Sequence, residues 1–406
     1  MYIERSIEQL IKKTVSTFKV VLLTGARQVG KTTTLNHLFG ENEYHYVSLD
    51  DFNELEIAKR DPKAFFLNHP GKLIIDEIQY APELFREIKF RVDQKDDYGQ
   101  YILTGSQTFS LMQGVTESLA GRVGIISFPS LSLREMLQDP FNKPMIPNND
   151  YLKAERKALQ GLELWRKIHR GSLPELTKEP KLDNQQYYAT YLSTYIERDV
   201  RSITNVQDLG LFFDFIRVLA ARVAQLVNYS EMAKELGINE RTVKAWMTIL
   251  EASGLIKLIQ PYSNNQLSRI IKTPKVYFMD TGLVAYLLLW KDPETMMKGA
   301  MSGAIFENFA ISEIIKSYYN AGIIHLPIYF YRDRDQKEMD LIIEDSGVLY
   351  PIEIKQTASP NPNMAKHFKL LEKAEGYTIG NRMILCQVEK RYYLTEDLIA
   401  YPVGAI

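Results

Sequence analysis

The first residues whose types and spacing suggest chemistry form a glycine-rich turn near the start of the chain. They read G-x-x-x-x-G-K-T and follow the apolar run 20–23, as Gly25, Ala26, Arg27, Gln28, Val29, Gly30, Lys31 and Thr32. Glycines at both ends let successive backbone N–H groups point at phosphate oxygens, and a following helix adds the positive end of its dipole. Lys31 is then placed to reach the β- and γ-phosphates and Thr32 to hold Mg²⁺, with Thr33 next to them on the same helical turn. The spacing therefore predicts a site for ATP and Mg²⁺.

Two carboxylates at the end of a second apolar run support this prediction. Residues 72–75 are compatible with a strand buried on both faces of a parallel sheet, and Asp76 and Glu77 follow directly. Asp76 is predicted to lie beside the metal, and Glu77 beside the water that attacks the γ-phosphate. The alternative is a strand followed by an acidic helix N-cap, which the phosphate-binding turn makes the weaker interpretation.

Two further segments can bring polar groups to the same site. A strand-like run ends near Thr104 and Ser106, and either hydroxyl can sense the γ-phosphate, although hydroxyls at a strand end are as often plain turn residues. Arg122, in the sequence Ser-Leu-Ala-Gly-Arg, can stabilise phosphate charge, either within one chain or from a neighbouring copy in a homo-oligomer. The alternative for Arg122 is a surface ion pair.

Length and composition predict several domains with ample core, because 406 residues with 45% hydrophobic content exceed the size of a single core. The net charge of −1 means that any nucleic-acid contact must come from local patches. The single cysteine, Cys386, has apolar neighbours and is predicted to be a buried thiol, and the six scattered histidines form no zinc pattern. The longest apolar stretch, 282–290, is far short of the roughly twenty residues that cross a bilayer, and the N-terminal residues lack a signal-peptide core, so we expect a cytoplasmic protein.

Strand and helix patterns alternate over residues 1–138, which predicts an α/β domain with a parallel sheet and helices on both faces. The strands are expected near 20–24, 44–49, 72–76, 100–104 and 124–128. In such a domain the nucleotide binds at the carboxyl edge of the strands, where the turn and the acidic pair lie.

Helical periodicity follows in the region 150–227, after a Pro- and Asn-rich stretch at 139–149 that reads as a linker. This region is expected to be a helical lid. Its charged segment 191–201 is either a salt-bridged amphipathic helix or a means of bringing Arg198 or Arg201 to the nucleotide.

Residues 228–290 resemble a winged helix-turn-helix. Ser230 and Asn239 are the predicted N-caps of two helices, with Gly237 at the turn and Arg241 facing outward from the second helix. The hairpin after the second helix carries basic residues and no acidic residue between 256 and 277: Lys257, Arg269, Lys272 and Lys275. A wing that contacts DNA phosphates needs such a surface, whereas the alternative is a helix-turn-helix that packs against protein.

The region 298–406 contains a second constellation of carboxylates. Asp340 and Glu353 lie on two strand-like runs joined by a predicted turn, and strand alternation puts Lys355 on the same side as Glu353. Glu307, on a preceding helix, can supply a third carboxylate. Carboxylates with a nearby lysine can hold Mg²⁺ or Mn²⁺ and position a water for phosphodiester hydrolysis, and the alternative is a set of structural ion pairs.

Taken together, these motifs resemble those of bacterial and archaeal AAA-type P-loop ATPases that carry a C-terminal uncharacterised domain. The resemblance rests on residues 23–32, 75–79, 103–106, 119–122, 194–199, 273–283 and 352–355. It implies a P-loop ATPase core, a winged helix and an α/β tail similar to the restriction-endonuclease-like (PD-(D/E)XK-like) fold, in which this sequence keeps Asp340, Glu353 and Lys355. Two classes of function remain. One is an ATP-driven enzyme acting on DNA or RNA, and the other is a nucleotide-dependent regulatory switch whose tail only binds partners.

Overall fold

The chain forms two compact units in the computed structural model. The first comprises Met1–Leu131, Ala252–Gly254 and Tyr319–Ile324, and the second comprises Ser132–Glu251, Leu255–Tyr318 and His325–Ile406. The structure describes residues 2–40, 43–106, 115, 118–195, 208–262, 273–333, 335–374 and 376–406. The predictions made for Arg198, Arg201, Arg269 and Lys272 lie outside the described residues.

The first unit is built on a five-stranded sheet in the order β2-β3-β4-β1-β5, and every pairing is parallel. Its strands are β1 (Val20–Thr24), β2 (His45–Ser48), β3 (Leu73–Asp76), β4 (Tyr101–Gly105) and β5 (Val123–Ser127). Every residue of β1, β3 and β4 is buried, which explains why these strands read as continuous apolar runs. The predicted parallel α/β sheet is therefore confirmed.

Helices connect these strands: α1 (Glu8–Val15), α2 (Lys31–Leu38), α3 (Phe52–Arg60), α4 (Pro62–Asn68) and α5 (Leu84–Gln94). Strand β1 lies between β4 and β5, yet the next strand along the chain, β2, is at the far edge. The carboxyl end of β1 is thus a point where the order of strands switches, which is where open parallel sheets bind ligands. The glycine-rich turn starts there and leads directly into α2.

The helices of the remaining chain follow in two groups. The first group is α6 (Leu133–Met136), α7 (Asn149–Leu152), α8 (Gly161–Arg170), α9 (Pro174–Lys178), α10 (Asn184–Tyr195) and α11 (Leu209–Ala220). The second group is α12 (Tyr229–Leu236), α13 (Glu240–Ala252), α14 (Thr281–Leu287), α15 (Pro293–Lys298) and α16 (Ser302–Asn320). No helix among the described residues combines the length and the apolar character that crossing a membrane requires.

Helices α12 and α13 are joined at Gly237, which has a φ of 66° as expected of a left-handed helix end. Asn239 accepts a hydrogen bond from the Thr242 N–H at 2.8 Å, as a cap of α13 should. The predicted cap of α12 is wrong, because Asn228 rather than Ser230 accepts from the first-turn N–H of that helix. Two antiparallel strands complete this region, β6 (Ile256–Ile259) and β7 (Lys275–Phe278). Its identity as a winged helix stays a prediction.

The C-terminal region forms a seven-stranded mixed sheet with the order β13-β14-β12-β10-β9-β8 and β11 paired to β10. The strands are β8 (Ile328–Arg332), β9 (Glu338–Asp345), β10 (Val348–Ile354), β11 (Thr378–Ile379), β12 (Arg382–Cys386), β13 (Tyr392–Thr395) and β14 (Leu398–Pro402). Strands β9 and β10 form the predicted antiparallel hairpin. Cys386 lies in the hydrophobic core of this sheet, so the predicted buried thiol is confirmed.

The Pro- and Asn-rich stretch 139–149 is not a free linker. The Met145 N–H donates to Ser317 Oγ at 2.9 Å, and Asn381 donates its amide to the carbonyl of Pro147 at 2.8 Å. Met145 itself is fully buried. These contacts fasten the stretch to α16 and to the C-terminal region, and sequence composition alone could not reveal them.

Candidate nucleotide site and tail cluster

The glycine-rich turn has the backbone that its sequence predicts. A Cβ placed on Gly25 would lie 2.1 Å from the carbonyl oxygen of Phe128, so only glycine fits where the turn passes the end of β5. Gly30, directly before α2, has a φ of 96°, and Gln28 is also in the left-handed region with a φ of 58°. Left-handed residues at these positions turn successive backbone N–H groups toward one side of the turn, where they can bind an anion.

An arginine that sequence reasoning missed supports this turn. Arg5 is buried and donates from Nη1 to the Val29 carbonyl at 2.8 Å and from Nη2 to the Pro129 carbonyl at 2.7 Å. Its guanidinium lies 4.5 Å from the centre of the Phe128 ring. Arg5 thereby ties the turn to the segment after β5. The residues next to it in the sequence, Glu4 and Ser6, give no signal of this role.

Lys31 extends back over the turn that precedes it. Its ammonium donates to the carbonyl oxygens of Gly25 and Ala26, both at 2.9 Å, and its side chain is largely buried. A positive charge is thus held within the turn by neutral acceptors, and phosphate oxygens would be stronger acceptors for it.

The two predicted ligands of Mg²⁺ are in direct contact. Thr32 donates its hydroxyl to Asp76 Oδ2 at 2.9 Å, and Tyr46 donates to the same oxygen at 2.7 Å. The other carboxylate oxygen accepts from the Thr104 hydroxyl and, at 3.1 Å, from the Glu77 N–H. A hydroxyl and an oriented carboxylate are oxygen ligands of the kind that Mg²⁺ prefers, so these residues fit the ion.

The two candidate sensors of the γ-phosphate differ in their contacts. Thr104 uses its hydroxyl to orient Asp76. Ser106 is buried, and its Oγ has no hydrogen-bond partner among the described residues. A buried hydroxyl without a partner is costly unless a ligand satisfies it, so Ser106 is the better candidate.

Glu77 has a strained backbone and an ordered carboxylate. Its φ is 57°, and its side chain makes no capping hydrogen bond to the 3₁₀ turn that follows, which removes the N-cap interpretation. Gln79 donates its amide to the carboxylate, and Arg27 Nη1 lies 3.6 Å from Oε1. Burial raises the pKa of Glu77 above its ordinary value. Gln79 and Arg27 therefore orient the group that was predicted to position the attacking water.

Arg122 makes the ion pair that was its alternative interpretation. Its Nε and Nη2 atoms bond the two oxygens of Asp93 at 2.6 and 2.9 Å on the protein surface. A role at the γ-phosphate would require Arg122 to leave Asp93.

In the tail, the β9–β10 hairpin brings together the residues that the sequence predicted. Lys355 Nζ lies 2.8 Å from Asp340 Oδ2 and 2.6 Å from Glu353 Oε2. The Ile354 N–H also donates to Asp340 Oδ2, at 2.8 Å. Burial raises the pKa of Glu353 to about 9. The lysine thus bridges the two acidic side chains.

Glu307 has different partners. Its Oε1 accepts from the Tyr277 hydroxyl at 2.7 Å and from Lys275 Nζ at 3.1 Å, and burial raises its pKa to about 7. The described part of the chain contains no group of three or more His, Cys, Asp or Glu side chains that could hold a metal ion. The three-carboxylate set is therefore not assembled here, and a tail metal site stays a prediction that rests on Asp340 and Glu353.

Two basic residues of the predicted wing are already engaged. Lys275 is buried and also contacts Glu338 at 2.6 Å, so its predicted contact with DNA phosphate is wrong. Lys257 lies 3.3 Å from Glu251. The sequence lacks acidic residues within this hairpin, but it could not show that carboxylates from other elements reach it.

Comparison with known proteins divides the chain into three matched segments. Residues 17–137 match the family described as AAA domain, residues 162–294 match a domain of unknown function (DUF8612), and residues 302–406 match another (DUF4143). The first match agrees with the parallel sheet and the glycine-rich turn, so the N-terminal segment is similar to AAA-type P-loop ATPase domains. The match to the last segment carries no assigned function, so it does not establish an endonuclease-like domain.

Two mycobacterial proteins are similar to this chain over most of its length. The uncharacterized proteins Rv2008c of Mycobacterium tuberculosis and Mb2031c of Mycobacterium bovis are each 27% identical over 388 residues, covering 95% of this chain and 80% of theirs. Among solved structures, the Walker-type ATPase PABY2304 of Pyrococcus abyssi is similar with a TM-score of 0.41 and 16% identity, covering 70% of this chain and 96% of that one.

Proposed function

We propose that this protein is a Mg²⁺-dependent ATPase. In this proposal the glycine-rich turn and the polar residues around it in the first unit bind and hydrolyse ATP. The contact between Thr32 and Asp76 at 2.9 Å carries the proposal, because it puts both expected metal ligands beside the phosphate-binding turn. The hydroxyl of Ser106, which has no hydrogen-bond partner in the part of the chain that the structure describes, adds a donor at the end of the neighbouring strand β4. When bound, Mg²⁺ supplies neutralisation of phosphate charge at this position.

Each side chain has a defined task in this proposal. The turn N–H groups and Lys31 bind phosphate oxygens, and Asp76 and Thr32 would hold the ion. Glu77 orients a water through its carboxylate, and its raised pKa makes it a stronger base for that water's proton. Gln79 keeps the carboxylate in one orientation.

Two substitutions separate binding from turnover. Lys31→Ala should weaken ATP binding, because it removes the cation at the phosphates, whereas Glu77→Gln should bind ATP normally and lose turnover. Glu83→Gln replaces an exposed carboxylate nearby in sequence and serves as the matched control. Phosphate release and fluorescent-nucleotide titration measure the two steps. Normal turnover in Glu77→Gln would remove Glu77 from the mechanism.

Arg122 is tested by concentration dependence. If it acts from a neighbouring copy, specific activity should rise with protein concentration, and Arg122→Ala should lower turnover by up to about 10³–10⁵-fold, as for arginine fingers. Asp93→Asn frees Arg122 from its surface partner without removing the arginine. Full activity in Arg122→Ala at every protein concentration would mean that Arg122 has no part in turnover and only forms its surface ion pair.

A second candidate function is metal-dependent cleavage of nucleic acid by the tail, under control of the ATPase unit. The observation that favours it is the convergence of Asp340 and Glu353 on Lys355 at 2.8 and 2.6 Å. Asp340 and Glu353 would hold the ion, and Lys355 would then be free to interact with substrate phosphate. The competing interpretation is a regulatory switch whose tail and helix-turn-helix only bind protein or DNA.

Metal binding and cleavage can be measured separately. Mn²⁺ titration without nucleotide should show binding in the wild type that Asp340→Asn abolishes, and Lys355→Ala should abolish cleavage of DNA or RNA while ATP hydrolysis persists. Asp345→Asn, on the same strand, controls for loss of charge alone. Absence of Mn²⁺ binding and of cleavage with either substrate would favour the regulatory switch.

A further inference from the structure

A cavity of about 510 Å³ lies beside the edge strand β13, and neither site described above uses it. Its volume is within the range of roughly 300–1,000 Å³ typical of small-molecule sites. Basic and tyrosine side chains contribute to its lining: Arg156, Lys390, Arg391, Tyr392, Tyr393 and Tyr401. All of them belong to the second unit, so this cavity is separate from the phosphate-binding turn.

The basic side chains of this cavity carry uncompensated charge. Arg156 donates from Nη2 to the Tyr401 hydroxyl at 2.7 Å, but its Nε and Nη1 groups are buried and have no acceptor among the described residues. Its guanidinium lies 4.1 Å from the centre of the Phe141 ring and 4.9 Å from that of Tyr151. Stacking of this kind fixes the guanidinium but does not neutralise it.

Little else in the lining offsets this charge. Within the described part of the chain, Arg156, Lys390 and Arg391 form no ion pair with a carboxylate. Glu155 is the acidic residue of the lining, and its side chain is exposed. An anion that enters the cavity therefore gains attraction to three cations that other groups do not already satisfy.

The aromatic residues suggest what accompanies the anion. Tyr392 and Tyr393 are 42% and 60% exposed, although both belong to a strand. Tyr392 pairs with Ala400 and Tyr393 with Ile399, so strand alternation puts Tyr393 on the same face as Ile399 and Tyr401, which also line the cavity. Exposed rings next to a basic groove are the combination that stacks bases while cations hold the backbone phosphates.

We propose that this cavity binds one nucleotide unit, with its phosphate against Arg156 and Arg391 and its base against Tyr393. The phosphate and the base can belong to a segment of single-stranded nucleic acid or to a free mononucleotide. The cavity would then give the second unit a contact with nucleic acid that does not depend on the helix-turn-helix or on its hairpin.

The test uses the full-length protein with its phosphate-binding turn saturated by ADP and Mg²⁺. Fluorescence anisotropy of a labelled, 5′-phosphorylated oligothymidylate measures binding. Tyr393→Ala and Arg391→Ala should each weaken affinity about 5-fold or more, the lower end of the range for loss of one base stack. Arg391→Ala should also reduce the slope of log affinity against log salt by about 0.7, as expected for one lost phosphate contact to a single strand.

Two exposed residues elsewhere provide matched controls. Tyr98→Ala removes a tyrosine that is 54% exposed, and Arg166→Ala removes an exposed arginine, so both should leave affinity unchanged. Circular dichroism confirms that each variant is folded. If Tyr393→Ala fails to fold, Arg391→Ala still tests the site, because its side chain is at the surface of the cavity.

Competition with AMP identifies the source of the nucleotide unit. Displacement of the oligonucleotide by AMP at similar concentrations would indicate a free mononucleotide, and a preference of tenfold or more for the oligonucleotide would indicate nucleic acid. Either result supports the proposal if the cavity variants also weaken binding of the probe. Failure of both probes to bind, or equal affinity in the cavity variants and the wild type, overturns it.

Discussion

Arg5→Met should loosen the phosphate-binding turn, although Arg5 lies outside every motif that identified the site. The substitution keeps an unbranched apolar stem but deletes two charged hydrogen bonds, to the carbonyls of Val29 and Pro129. Hydrogen bonds to charged groups contribute about 1.5–3 kcal/mol each, so local opening of the turn should become easier by about 3–6 kcal/mol. In this variant, ATP binding must itself order the backbone of the turn that Arg5 orders in the wild type. Fixing one residue costs about 1–2 kcal/mol, so the Kd for ATP should rise about 5- to 30-fold.

The assay must report on the first unit alone. All three tryptophans, Trp165, Trp246 and Trp290, lie in the second unit, so their emission should not change and provides an internal control. Hydrogen–deuterium exchange of peptides covering residues 20–38 measures the opening of the turn, and titration with a fluorescent ATP analogue measures Kd. Arg5→Lys, which keeps the charge but not the two-pronged geometry, should give an intermediate result. Unchanged exchange and unchanged Kd in Arg5→Met would refute the reasoning.

Three further outcomes follow from buried groups in the second unit. Since burial raises the pKa of Cys386 to about 11, its thiolate forms only at high pH, and at pH 8 the native protein should react with a thiol reagent slower than the unfolded chain by on the order of 100-fold. Tyr188→Phe removes a 2.6 Å hydrogen bond to the buried Asp280, and denaturant unfolding followed by tryptophan emission should show a loss of about 1.5–3 kcal/mol. Lys275→Met removes a buried ammonium from between two partly buried carboxylates and should cost about 3–5 kcal/mol in the same assay, whereas Lys244→Met, at an exposed ion pair, should change little.

The nucleotide site was largely predictable from the sequence because its signals are local. Apolar runs buried on both faces identify the strands of a parallel sheet, and the residues that follow them must meet at one edge. The sequence alone therefore assigns Asp76 and Thr32 to the same Mg²⁺ site. Arg5 could not be found in this way, because one of its acceptors, Pro129, is 124 positions away and is a backbone carbonyl that no residue type marks.

The helix-turn-helix region shows a second limit of sequence reasoning. Both Asn228 and Ser230 are good capping residues, but Asn228 is the cap because the helix begins at Tyr229, two positions earlier than a cap at Ser230 would allow. The prediction that the basic hairpin contacts DNA rested only on the composition of the hairpin itself. The carboxylate that neutralises Lys275 comes from Glu307, 32 positions further along the chain, so burial turned an expected surface charge into a core contact.

Lys275 also links the two parts of the second unit on which the functional alternatives depend. It belongs to β7, next to the helix-turn-helix, but its ammonium lies between Glu307 on α16 and Glu338 on β9. Asp340 follows Glu338 by two residues on the same strand, and the negative charges of both raise the pKa of Lys275. Moving β7 away from β9 would leave the buried Lys275 ammonium and its partly buried carboxylates unpaired, which is unfavourable. A partner that displaces the hairpin must therefore move β9 with it or break the Lys275 contacts, and in both cases the effect reaches the strand that carries Asp340.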